Sequence, residues 1–597
     1  MTKHTISLSM TSTLLARTAG DQWIVMPAVS VRTAATAVDA GGTAADRSLV
    51  IDGTVASTGG DAVLFGHGSI AARAGLVSIK ADGVVSGKLA GLVAAGAGLV
   101  VHNEGTLSGG TLGAGLSGAG LNLTNRGSLL SAGLGVTASG NDALVTNHGL
   151  LRSVGDALSV KGKGAILTNY GDIRSTAGDG IASAGTKAIV TNSGTVDARL
   201  DALAVTGSGA TITNNGRIVS RADEGLVVTG AKAVLSNNGT ISAQKDAVRL
   251  DGAGVTFANH KTLASTAGEA LDVSASAARI TNNGTMKGAS GVLVDGAAAV
   301  LVNNGTVTAT AAKGIAVALA GPGRNVFSNN GTLKAEGLAF KGGGGAETVT
   351  NNGTIRGKVD LGAGNDVFDT RGGKVTGSVA GGKGNDTYLV ADAKLALVER
   401  AGQGSDTVQS AVSYRLGANI EKLVLLGSAG LDGTGNGLDN VLIGNGGANR
   451  LSGGAGRDVL DGGRGNDTLK GGTGRDSLVG GAGADTLYGG TGADTFVFRS
   501  VKDSTVSASG RDTIHDFSRK QGDRIDLGAI DANAKAGGDQ AFTFIGAQKF
   551  DGKAGELRYE KKGGDTFVHG DIDGDGTADF SIKVDGSLNL TKADFLL

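Results

Sequence analysis

The sequence predicts an all-β protein: a parallel β-solenoid of about 22 residues per coil that continues into a nine-residue-repeat β-roll and a β-rich C-terminal domain. Three observations carry this. Glycine supplies 107 of 597 residues and proline only 2, while hydrophobic residues reach 40% and aromatics 3%. Such a chain is too apolar for a flexible linker and lacks the proline and three-residue period of collagen, which leaves tight turns and short strands packed through small side chains. An asparagine-centred tetrapeptide recurs every 21–23 residues between Asn103 and Asn351, and a glycine-rich unit recurs every nine residues over 435–497.

Residues 1–45 contain the only tryptophan, Trp23, and show no clear repeat, so they are expected to cap the first coil. The solenoid is expected over 46–360. Its turns carry Asn103, Asn125, Asn147, Asn169, Asn192, Asn214, Asn237, Asn259, Asn282, Asn303, Asn329 and Asn351, with one longer interval around Gly321-Pro322-Gly323. Weaker copies occur at Ile51-Asp52-Gly53 and Ala81-Asp82-Gly83. The stretches between turns alternate, as in Gly209-Ala210-Thr211-Ile212-Thr213-Asn214, and the period is too short for helical hairpins. About three short strands per coil fit that length. Asn-Gly is expected to supply a left-handed corner, and asparagines in one register to stack as a hydrogen-bonded ladder. A single coil cannot bury its inner face, so stability must come from stacking.

A second register holds Asp156, Asp179, Asp201, Glu224, Asp246 and Glu269, until Ser290 and Lys313 break it. Carboxylates ~4.8 Å apart in stacked strands repel by about 0.9 kcal/mol even in water. Either they are solvated turn residues or cations relieve the column.

From residue 435 the period is nine. Five consecutive units run GGAGRDVLD (453–461), GGRGNDTLK (462–470), GGTGRDSLV (471–479), GGAGADTLY (480–488) and GGTGADTFV (489–497). Two degenerate units precede them, with Asn440 and Asn449 where the later ones have aspartate. Glycines let the first six residues turn their carbonyl oxygens toward a common centre, the sixth-position aspartate adds an anionic oxygen, and the eighth-position apolar residue faces inward. Oxygen-only coordination suits Ca²⁺. The pattern resembles the RTX family, whose nonads wind a parallel β-roll with calcium held between turns. The resemblance implies Asp458, Asp467, Asp476, Asp485 and Asp494 as ligands, with the turns at Asn440 and Asn449 weakly occupied. Three related turns, at Asp366, Asp386 and Asp406, are spaced by 20 residues and read as calcium turns within transitional coils over 361–434; the roll itself spans 435–498.

Residues 499–597 resemble the C-terminal domain of serralysin-type proteases, which follows their RTX roll and serves in secretion. The tail Ala593-Asp594-Phe595-Leu596-Leu597 resembles a type I export signal, and the N-terminus has no apolar signal-peptide stretch. The resemblance implies type I secretion machinery as a partner and an extracellular or cell-surface location. Within this region Asp571, Asp573, Asp575 and Asp579 occupy positions 1, 3, 5 and 9 of an EF-hand-like loop, although Ile582 replaces the usual glutamate.

The absence of cysteine excludes disulfides, thiolate metal sites and cysteine nucleophiles. A net charge of −1 offers nothing for nucleic acid, and no apolar run is long enough to span a membrane. None of the seven histidines lies in an H-E-x-x-H motif, and G-x-S-x-G is missing, so a protease is excluded. The expectation is a calcium-binding structural or adhesive protein without catalytic residues, folding after export and meeting other copies or a cell-surface polysaccharide. The alternative is a polysaccharide-modifying enzyme, C5-epimerase- or lyase-like, on a parallel β-helix. His148 and Tyr170 share a varying turn position and read as exposed turn residues.

Overall fold

The computed structural model describes residues 2–16, 18, 20–40, 46–66 and 75–597. It divides into two compact units, Met1–Gly343 with Thr354–Gly357, and Gly344–Gly353 with Lys358–Leu597. Among the described residues there is no α-helix, only strands and two 3-10 turns, at Ala508–Gly510 and Lys592–Asp594. None of these elements is a helix long and apolar enough to cross a membrane.

In the first unit the two-residue alternation of each short strand sends one side chain inward and the next outward, and each coil contributes three such strands. Leu144–Asn147, Leu150–Ser153 and Leu158–Lys161 pair in parallel with Ile166–Asn169, Asp172–Ser175 and Ile181–Ala184 of the next coil. The register puts like on like. Val145, Leu167, Val190, Ile212, Leu235 and Phe257 form one inner column, each at most 2% exposed. Burying each such side chain stabilises the stack by about 1.5–3 kcal/mol, gained only when a neighbouring coil covers it.

The solenoid begins earlier than the sequence suggests. Lys3–Ile6 pairs in parallel with Gln22–Val25, then Ser48–Ile51, Leu76–Ile79 and Val100–Asn103. The described residues between 3 and 40, expected as a cap, are therefore coils themselves, with Trp23 stacked on His4 at 4.2 Å; residues 17, 19 and 41–45 lie outside the described residues.

The asparagine ladder is present. From Asn103 to Asn303 each Nδ2 donates to Oδ1 of the asparagine one coil on, the last rung ending on Asn329, at 2.7–2.8 Å, and every one of these side chains is buried. The left-handed corner is elsewhere. Positive φ falls at the corner before the asparagine strand, at Gly162 (φ 145), Gly164 (φ 71) and their counterparts Gly185 (φ 148) and Lys187 (φ 59). The glycine of the asparagine turn is required for close approach instead: a Cβ on Gly149 would run into the Gly127 carbonyl of the preceding coil.

The second unit winds two strands per coil. On one face Val441–Ile443, Val459–Arg464, Ser477–Ala482, Thr495–Val497, Arg524–Asp526 and Phe595–Leu596 pair in succession, all parallel. On the other, Arg450–Ala455, Thr468–Thr473, Thr486–Thr491, Thr513–Ile514 and Phe580–Val584 do the same. Successive nonads thus alternate between faces, and Leu451, Leu460, Leu469, Leu478, Leu487 and Phe496 fill the space between them with at most 1% exposure. The hairpin of Glu556–Lys562 and Asp565–Asp571 joins the second face antiparallel. The tail is part of the stack: Asp594 is buried and accepts from Arg519 Nε at 2.8 Å.

Candidate metal centre

The nonad turns repeat one geometry. The glycines at the second and fourth positions of each tandem unit take φ between +91° and +155°, as at Gly472 and Gly474, a region closed to most side chains. That bend lets the sixth-position aspartate fold back beneath its own turn. Asp458, Asp467, Asp476, Asp485 and Asp494 are at most 1% exposed. Their Oδ1 atoms accept backbone N–H bonds from the coil before: Asn440 to Asp458, Asp458 to Asp476 and Asp476 to Asp494 at 2.8–2.9 Å, with Asn449 to Asp467 and Asp467 to Asp485 at 2.7 Å. Their Oδ2 atoms have no hydrogen-bond partner.

A buried, unpartnered carboxylate oxygen is costly. Burial accordingly pushes Asp458, Asp467 and Asp494 up to about 6 and Asp485 to about 7, with neighbouring carboxylates adding to the shift. The oxygens around each Oδ2 describe a cradle. A Cβ on the first glycine of the unit would fill it, lying between Asp458 Oδ2 and the Gly471 carbonyl at Gly453, and between Asp467 Oδ2 and the Gly480 carbonyl at Gly462. A carboxylate oxygen and a carbonyl oxygen face this space, the donor types that suit Ca²⁺.

The two degenerate units supply the control. At Asn449 and Asn440 the amide Oδ1 stands beside the first glycine, where aspartate places Oδ2, and accepts from the N–H of Asn445 and Asn436 at 2.8 and 2.7 Å. The amide Nδ2 faces the preceding coil and donates to the Leu431 and Ile420 carbonyls at 2.9 and 3.1 Å. Asparagine is satisfied within the stack; aspartate keeps one oxygen without a partner.

The same column runs through the 20-residue turns. Asp366 N–H donates to Asp386, Asp386 N–H to Asp406, and Asp406 N–H to Glu421, each at 2.8 Å. Burial raises Asp366 and Asp386 to about 7 and Asp406 to about 6. At the C-terminal end Asp512 and Asp523 add the last rungs, accepting from the N–H groups of Asp485 and Asp494 at 2.8 and 3.0 Å. Asp512 is fully buried, its Oδ2 unpartnered, and burial raises it to about 9. Sequence reasoning missed both because their turns lack the paired glycines that open a nonad; the remaining signal is Gly510-Arg511-Asp512-Thr513-Ile514, which repeats the Gly483-Ala484-Asp485-Thr486-Leu487 step.

In the EF-hand-like loop the structure brings Asp571, Asp573 and Asp579 within 4.8 Å of one another but not Asp575, whose Oδ1 accepts from the Thr577 N–H at 2.7 Å.

The family described as Peptidase M10 serralysin C terminal matches residues 283–597, more than half of the chain. The chain belongs to that family. Serralysin C-terminal domains are RTX-type and non-catalytic, and RTX domains bind calcium. No curated protein matches the chain. Two solved structures are similar in part: the AlgE6R3 and AlgE6R2 subunits of the Azotobacter vinelandii mannuronan C5-epimerase. They are 28% and 26% identical, each over 29% of this chain and over 80% and 94% of their own, with TM-scores of 0.15 and 0.16.

Proposed function

We propose that this serralysin C-terminal family member is a type I secreted, extracellular structural or adhesive protein whose second unit folds on binding several calcium ions through Asp366, Asp386, Asp406, Asp458, Asp467, Asp476, Asp485 and Asp494, with Asp571, Asp573 and Asp579 as a further site. One observation carries the reading: a column of buried aspartates in which each tandem nonad keeps one carboxylate oxygen without a hydrogen-bond partner. Without cations these groups oppose folding by burial and mutual repulsion. Millimolar calcium, the range of weak extracellular sites, offsets both, so binding energy becomes folding energy. In a calcium-poor cytosol the roll and its tail stay unfolded for export.

The adhesive part of the reading draws on the first unit. Arg152, Arg174, Arg199 and Arg221 line a groove of about 370 Å³ with Asp197 and Thr176. Asp197 and Asp172 engage Arg221 and Arg174, leaving Arg152 and Arg199 to face solvent. A groove of guanidinium groups on a stack of repeating coils suits the regularly spaced carboxylates of an acidic polysaccharide.

The test is a calcium titration of chelator-treated protein, following far-UV circular dichroism and light scattering. A β-signal that rises at millimolar calcium is expected, and its absence would end the calcium reading. Growth in mass would assign self-assembly; a monomer that binds polyuronate without shortening it would assign adhesion. Polymer cleavage or epimerisation would establish the enzyme reading.

A further inference from the structure

Glu399 has no place in any repeat, yet it enters the carboxylate column from the side. The strand Leu397–Val398 pairs with Val379–Lys383 through Val379↔Leu397 and Ala380↔Val398, so the next residue, Glu399, comes opposite Gly381. Its Oε1 accepts from the Gly381 N–H at 3.1 Å and from the Tyr388 hydroxyl. Its Oε2 has no hydrogen-bond partner, and neither has Asp386 Oδ2. Asp386, Glu399 and Asp406 are 1%, 6% and 1% exposed, and each offers an oxygen within 4.8 Å of the others.

Three buried carboxylates do not share such a space by themselves. The groups that act most strongly on Asp386, Glu399 and Asp406 are other acids, the Tyr388 hydroxyl and backbone N–H groups. The space is real: a Cβ on Gly381 would collide with Asp386 Oδ2, the Tyr388 hydroxyl and Glu399 Oε1. Oxygens up to about 4.8 Å apart can share one ion at Ca–O distances of roughly 2.3–2.6 Å, whereas a Mg²⁺ shell at about 2.1 Å would need them closer.

We propose that Asp386, Glu399 and Asp406 form a three-carboxylate calcium site in which Glu399 is a ligand outside the nonapeptide pattern and Tyr388 orients it. The proposal rests on the calcium reading above and adds to it a site of higher charge than the nonad turns, filled at lower free calcium. Tyr388 fixes the glutamate by donating to one oxygen, which leaves the other for the ion.

The experiment compares full-length wild type with Glu399→Gln in calcium calorimetry and in melting temperature with and without calcium. A ligand role predicts that Glu399→Gln weakens the tightest ion at least tenfold, leaves the weaker ions unchanged, raises the melting temperature in chelator and shrinks the calcium-induced gain. A hydrogen-bonding role alone predicts an equal fall in both melting temperatures and an unaltered isotherm, which would overturn the proposal while the calcium reading stands. A wild-type chain that takes up no calcium would overturn both. If Glu399→Gln does not fold, Tyr388→Phe decides with Tb³⁺ as probe: loss of tyrosine-sensitised emission from the first ion bound supports the site, and undiminished emission refutes it.

Discussion

At the scale of single residues, the two repeats use the same side-chain shape for opposite ends. The ladder asparagines meet one another head to tail, so donor and acceptor are both satisfied inside the coil. Asn214 accepts from Asn192 and donates to Asn237, each at 2.8 Å. Asn214→Ala removes both bonds and leaves buried partners behind, a cost of about 2–4 kcal/mol. Asn215, whose bond from Asn238 is exposed, should cost under about 0.5 kcal/mol when replaced by alanine. Urea unfolding in excess calcium checks the contrast, and equal costs would deny the ladder its role. In the nonads the comparison runs between aspartate and asparagine. Asp476→Asn should remove the buried charge and satisfy its amide within the stack as Asn449 does, giving a chain that folds with less calcium and binds one ion fewer. Calcium stoichiometry by calorimetry reads this, and an unchanged count would show that Asp476 holds no ion.

At the scale of elements, what the sequence revealed depended on whether the chemistry repeats in register. The ladder and the tandem nonads were legible because each coil restates the same residues. The first coils were not: strands such as Lys3–Ile6 and Gln22–Val25 stack in parallel without an asparagine turn to announce them. The corner was misassigned because a glycine needed for positive φ and one needed for close approach look alike in a sequence. Glu399 left no signal, since its place depends on strand pairing. The acidic register was seen, and its members do stack, with Asp179 N–H donating to Asp156 and Asp201 N–H to Asp179 at 3.0 and 3.2 Å. Cations from the chain relieve part of it: Lys245 Nζ lies 2.6 Å from Asp223, and Arg249 lies 3.8 Å from Glu224. The relief is incomplete, because burial and then neighbouring acids raise Glu224 and Glu269 to about 7 and Asp179 to about 6. A carboxyl with a raised folded-state pKa binds protons more tightly in the folded chain. Its contribution is therefore complete below about pH 4 and lost as pH rises through about 6 to 7. The melting temperature in saturating calcium should fall from pH 5 to pH 8, and Glu224→Gln with Glu269→Gln should flatten that slope. A slope identical in the double variant would remove the column from the account.

At the scale of the whole molecule, the two units answer differently to the loss of calcium. The first is held by apolar columns and by asparagines that satisfy one another, and Lys245 and Arg249 balance part of its acidic column. The second buries aspartate after aspartate with an unpartnered oxygen, and its last rungs, Asp512 and the strand Phe595–Leu596, complete the same stack. Coils that lean only on neighbours lose cooperativity when several interfaces weaken together. Chelation should therefore unfold the second unit while the first persists: about half of the β-signal should remain, and limited proteolysis should leave a fragment ending near Gly343. Restoring calcium should protect the chain through the tail. A chain that unfolds throughout in chelator would mean that the solenoid depends on the roll, and one that resists proteolysis throughout would mean that the carboxylate column tolerates its own charge. The predicted pattern suits a secreted protein for a physical reason. On the proposed role, the C-terminal part would stay unfolded where calcium is scarce, and its folding would begin only where the ions that balance its buried charge are abundant.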